Sequence, residues 1–103
     1  MRYQVTPAFE ADWARLSERE REFFRSVIRK RFHPACERYR EDPATPWPRG
    51  LRVKAVQGAP GVWEMTWSCS GPDGRATFEW VELDGELALR WRRIGGHAVF
   101  GRP

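Results

Sequence analysis

The chain has 103 residues, 41% of them hydrophobic and 31% charged, with six Trp and six Phe, and its 18 Lys+Arg against 14 Asp+Glu give a formal charge of +4. So much bulky apolar surface excludes a disordered tail, and the charges scattered through it exclude a membrane span. At this length one compact domain is expected, with too small an interior for a deep cofactor cavity.

The opening MRYQVTPAFEAD places no apolar run behind Arg2, so no secretory signal is read there and the cytoplasm is the expected compartment. Tyr3 and Val5 alternate with Arg2, Gln4 and Thr6, the period of a short half-buried strand. Thr6-Pro7 then supplies a cap and a first helical residue, and Phe9, Trp13 and Leu16 recur on one face of a first helix. Ser17-Glu18-Arg19-Glu20 has the form of a capping box and predicts a second helix, whose apolar stripe is Phe24, Ile28 and Phe32 with Phe23 and Val27 beside it. His33-Pro34 predicts a kink or restart, with the helix continuing through Cys36 and Tyr39 to Asp42-Pro43.

Asp42 to Gly50, with Pro43, Pro46 and Pro48, reads as an extended connection. From Leu51 the period becomes two: Leu51 and Val53; Trp63, Met65 and Trp67; Ala76, Phe78 and Trp80; Leu87, Leu89 and Trp91, with turns at Gly58–Gly61, Gly71–Gly74 and Asp84-Gly85. The expected order is β-α-α-β-β-β-β, an α+β fold with a small antiparallel twisted sheet and two helices packed on its apolar face. The other face carries Arg52, Lys54, Glu64, Thr66, Ser68, Arg75, Thr77, Glu79, Arg90 and Arg92. Four of the six Trp fall on the apolar face and Trp13 in a helix stripe, which argues against base stacking and leaves only Trp47 unassigned. Cys36 and Cys69 lack the spacing of a disulfide framework or a zinc site and are expected to be buried free thiols, so no metal and no cofactor are implied.

The segments Leu51-Arg52-Val53-Lys54, Gly61-Val62-Trp63-Glu64, Gly74-Arg75-Ala76-Thr77-Phe78 and Ile94-Gly95-Gly96-His97-Ala98-Val99-Phe100 together resemble the RelE branch of the RelE/ParE toxin superfamily. The resemblance runs over residues 1–103 as a single RelE-like toxin domain. It implies the toxin of a type II toxin–antitoxin pair, with a cognate antitoxin, the ribosome and mRNA as partners, no membrane, and ribosome-dependent cleavage of mRNA that inhibits translation. Lys54 corresponds to the basic strand such toxins use on RNA, and His97 falls in the C-terminal segment where members place a catalytic or phosphate-binding Arg or His.

Metal-free RNA cleavage needs a base for the 2′-OH, an acid for the leaving 5′-oxygen and cations for the transition-state charge. Glu64 or Glu79 can supply the base and His97 the acid, with Arg75 or Arg90 from neighbouring strands replacing a catalytic cation that relatives carry near the start of the middle strand, where this chain has Trp63-Glu64. Arg52, Lys54, Arg90, Arg92 and Arg93 form the expected phosphate clamp. An ion pair with a cross-strand cation is the plainer role for either glutamate. Phe100 stands where relatives often have a Tyr, and it has no hydroxyl to move a proton. A non-catalytic RelE/ParE-like binder, acting on a protein target or holding only RNA or antitoxin, is therefore the alternative.

Overall fold

The computed structural model describes residues 1–68, 74–96 and 102–103. Thr6 opens the first helix as expected: its Oγ1 accepts the Phe9 N–H at 3.1 Å and Pro7 is the first helical residue. The same hydroxyl donates to the Arg92 carbonyl at 2.7 Å, so one side chain both caps the helix and ties it to the last strand. Strand β1 is Tyr3–Val5 and helix α1 is Pro7–Arg15. Helix α2, Glu18–Val27, begins with both bonds of the capping box, Glu20 N–H to Ser17 Oγ at 3.1 Å and Ser17 N–H to Glu20 Oε1 at 2.8 Å.

The predicted interruption at His33-Pro34 is a change of helical pitch. Residues Ile28–Phe32 form a π turn leading without a break into α3, His33–Glu41. Pro34 has no N–H and its ring presses on the preceding turn, so the chain widens there, and the His33 N–H reaches back to the Ile28 carbonyl. Phe32, the last residue of the π turn, is held wholly inside the core.

A 3-10 turn at Arg49–Leu51 precedes β2, Lys54–Ala55; then come β3 (Trp63–Ser68), β4 (Gly74–Leu83) and β5 (Glu86–Gly95). Leu51 thus belongs to a turn rather than to the expected strand, and Arg52 beyond it is left-handed, with φ 47°. The sheet order is β1-β5-β4-β3-β2. The order of elements and the α+β class are as expected, and β2 to β5 are antiparallel. The sheet as a whole is mixed, because β1 pairs with β5 in parallel, with Gln4 opposite Arg90. The long connection between the two strands, the helices followed by β2 to β4, allows that direction.

Phe9, Phe24 and Phe32 meet Trp67, Phe78, Trp91, Leu89 and Ile94 in one core, with Trp13, Trp63 and Trp80 packed on its margin. Phe32 sits 5.4 Å, ring centre to ring centre, from Phe78 and 5.2 Å from Trp91. Trp47, unassigned by periodicity, lies between Phe32 at 5.9 Å and Tyr39 at 5.2 Å. Every Trp is buried or half-buried, so none forms an open stacking platform. Cys36 is a buried free thiol pushed up to about 12 by burial and by Glu37, while Cys69 lies outside the described residues. Among the described residues no helix is long and apolar enough to cross a membrane.

Candidate functional site on the polar face of the sheet

Strand register assembles the predicted residues into cross-strand rows. Lys54, Glu64, Thr77 and Arg93 stand opposite one another across β2, β3, β4 and β5. Thr66 faces Arg75 on one side of that row, and Glu79, Arg90 and Gln4 form a second row on the other. Periodicity correctly groups these side chains. It does not foresee the bulge in β5, where Thr77 pairs with Arg93 and Phe78 with Trp91, leaving Arg92 as an extra residue. A bulge of this kind re-aims neighbouring side chains: Arg92 joins Arg90 on Glu79, while Arg93 reaches Asp12 in α1.

This face is less open than a solvated sheet. Glu64, Thr66 and Thr77 are buried. Thr77 Oγ1 donates to the Pro103 main-chain oxygen at 3.0 Å, Arg92 Nε to the same oxygen at 3.1 Å, and Arg93 Nη1 to the Arg102 carbonyl at 3.0 Å. Residues 102–103 thus lie across the row.

The two glutamates differ sharply in their surroundings. Glu79 is gripped by Arg90 Nη1 on Oε1 and Arg92 Nη1 on Oε2, each at 2.8 Å. Burial pushes its carboxyl up, but the hydrogen bonds and charges of Arg92 and Arg90 outweigh that and hold it below the ordinary range. A carboxylate so stabilised is a weak base. Arg90 is further fixed by Gln4 Oε1, which accepts from Nε at 3.2 Å and from Nη2 at 3.1 Å. Among the described residues Glu64 pairs with one cation, Lys54, whose Nζ is 3.4 Å from Oε1; the lysine side chain is 69% exposed and the glutamate 4%. Among the described residues Glu64 Oε2 is buried and has no hydrogen-bond partner.

Arg93 is held by Asp12, a residue that sequence reasoning passed over. Its Nε reaches Oδ2 at 2.6 Å and its Nη2 reaches Oδ1 at 3.0 Å, and the Ile94 N–H adds a third bond to Oδ2 at 3.1 Å. Burial of Asp12 works against its charge; the Arg93 hydrogen bond, the Ile94 N–H, and the charges of Arg93 and Arg15 prevail and lower its carboxyl, while Arg93 is raised by the same bond. The one available signal was an acid three residues after Phe9 and four before Leu16, inside an apolar stripe. A cavity of about 190 Å³ lies beside this pair, lined by Asp12, Arg15, Arg93, Gly95 and Gly96 among others.

Of the remaining predicted residues, Arg75 stands in β4 opposite Thr66, and Arg52 is exposed beyond the 3-10 turn. His97 and Phe100 lie outside the described residues. No three His, Cys, Asp or Glu side chains converge as a metal-ligand set among the described residues.

No protein-family model matches the chain, and no curated protein does. Among solved structures, a YoeB/ParE toxin from Agrobacterium tumefaciens matches over 94% of this chain and 99% of that one, with a TM-score of 0.59 and 17% identity. A likeness at that identity is one of fold, and it joins the mixed five-stranded sheet, the helices on its apolar face and the order of elements into one conclusion: this chain has the fold of a RelE/ParE-like toxin.

Proposed function

We propose that this chain is the toxin of a toxin–antitoxin pair and that its polar sheet face cleaves mRNA on the translating ribosome without a metal. The observation that carries the reading is Glu64: a buried carboxylate with Lys54 on one oxygen and a second oxygen lacking any donor among the described residues. A buried acceptor without a donor is costly, and a substrate hydroxyl is a donor of the right kind. Glu64 takes the proton of a ribose 2′-OH. The freed oxygen attacks the adjacent phosphorus, and the bond from phosphorus to the 5′-oxygen breaks. His97 is the proposed acid that returns a proton to that leaving oxygen. Lys54 and Arg75 stabilise the added negative charge, and Arg52, Arg90, Arg92 and Arg93 bind flanking phosphates.

An antitoxin segment with acidic and apolar side chains is the proposed partner. It would cover the basic residues and exposed apolar ones such as Val5, 43% exposed, and Phe23, 50% exposed. A toxin acting on translating ribosomes would work in the cytoplasm, which is the proposed compartment. The test is mRNA cleavage in a reconstituted translation reaction: wild type should cut, and Glu64→Gln should cut at least about a hundredfold more slowly, the usual scale for a lost general base. Co-expression with the neighbouring gene product should yield a co-purifying complex.

One observation favours a second reading, a binder that does not cut. Arg90 and Arg92 share the one carboxylate of Glu79, and Arg93 is paired with Asp12, so all three cations of the clamp already hold partners within the protein. Wild-type protein that binds ribosomes and leaves every mRNA intact would decide for it.

A further inference from the structure

A group of cations without partners among the described residues lies elsewhere. Arg29, Lys30 and Arg31 are consecutive in the π turn and all exposed, and Arg49 is exposed in the 3-10 turn. None of the four makes an ion pair or hydrogen bond among the described residues. The two elements touch. An atom added at Gly50 Cβ would lie 2.6 Å from Arg31 Nη2, so the Arg31 guanidinium lies directly over the turn that carries Arg49. Four like charges gathered on two adjoining elements, with no carboxylate drawn among them, repel one another in the free protein, and an anionic partner relieves that repulsion.

We propose that this π-turn face docks the phosphate backbone of a double-helical RNA, separately from the sheet face; the choice of RNA rests on the function proposed above. Three features point to a duplex. The face belongs to one uninterrupted helical rod from Glu18 to Glu41, a rigid body suited to a rigid charged lattice. Consecutive helical positions fan Arg29, Lys30 and Arg31 over roughly half the circumference of a rod about 10–12 Å wide, a span suited to phosphates on two strands and poorly suited to tracking one. None of the tryptophans offers an open platform for unstacked bases, since each is buried or half-buried. The contacts expected are therefore ionic, carry no sequence preference, and depend strongly on salt.

The test is fluorescence anisotropy of the full chain with a 20-base-pair RNA duplex, a 20-nucleotide single strand and a DNA duplex of the same sequence, over about 50–200 mM salt. Wild type should bind duplex RNA. The variant Arg29→Gln/Lys30→Gln/Arg31→Gln should lose at least tenfold in affinity for it, with a salt dependence shallower by about 0.9 per lost contact, and Arg49→Gln should remove roughly one contact more. Arg29→Gln/Lys30→Gln leaves Arg31 on Gly50 and keeps the test readable should the triple variant fold poorly. The DNA duplex should lose affinity in parallel, since the contacts are to phosphate. Unchanged affinity and slope for duplex RNA would overturn the proposal, as would losses equally large for single-stranded RNA, or loss of antitoxin capture while duplex affinity stays intact. Duplex binding through this face by a protein that cuts no mRNA would sink the endonuclease reading alone; cutting by wild type, with duplex affinity unchanged in the variants, would sink this one alone.

Discussion

Asp12 and Arg93, 81 residues apart in sequence, meet in a two-pronged ion pair of 2.6 and 3.0 Å that joins α1 to the end of β5. The same carboxylate accepts the Ile94 N–H, so a single side chain holds the strand by its backbone and by its guanidinium. Asp12→Asn should destabilise the fold by about 3 kcal/mol, because it leaves Arg93 partly buried without its counter-charge. Urea unfolding checks this, and a double-mutant cycle with Arg93→Gln should show coupling; additive losses would mean that the two side chains act independently.

The pair also sets an acid limit. Asp12 has a lowered carboxyl in the folded protein, so its contribution to stability is complete above about pH 4, the ordinary Asp value, and is lost as pH falls through the lower folded value. Glu79, lowered by Arg92 and Arg90 against its burial, adds in the same direction. Wild type should therefore lose stability on acidification more steeply than Asp12→Asn, and thermal melts between pH 2 and 7 would show the two curves converging at the acid end.

Gly74 has no room for a side chain. A methyl there would lie 2.5 Å from Trp67 Cε2, because the register shift that leaves Trp67 unpaired lays its indole across the start of β4. Gly74→Ala should cost roughly 1–3 kcal/mol by overpacking. Adding Trp67→Phe should recover part of that loss, which equilibrium unfolding of the single and double variants would measure.

Glu79→Gln should free Arg90 and Arg92 for phosphate. Affinity for single-stranded RNA should rise, with a salt dependence steeper by about 0.7 for each released cation. Cleavage should fall far less than in Glu64→Gln, since Glu79 is assigned no proton transfer. Equal losses of cleavage in the two variants would overturn that division of roles.

His97→Gln keeps size and some hydrogen bonding and removes titration. Cleavage should fall by about a hundredfold or more, with ribosome binding retained. Full cleavage at saturating enzyme would remove His97 from the mechanism.

The elements were legible because their signals are local. Thr6-Pro7, the box from Ser17 to Glu20, and the alternation of Trp63, Met65 and Trp67 each act over a few residues, and the structure realises all three. The membership of the polar face was legible too, since a strand's side chains alternate whatever lies beyond it. Partnership along that face depended on tertiary structure. Whether Arg90, Arg92 and Arg93 are offered to a ligand depends on Glu79 across the sheet and on Asp12 in a helix distant in sequence, and a bulge shifts Arg93 relative to strict alternation. Charge in a sequence is a count, whereas availability of charge is a matter of distance, because an ion pair a few ångströms long changes what a cation can do for a substrate. The run from Arg29 to Arg31 is plain in the sequence, but only the tertiary structure lays Arg31 over the turn that carries Arg49 and leaves the four without an ion pair among the described residues.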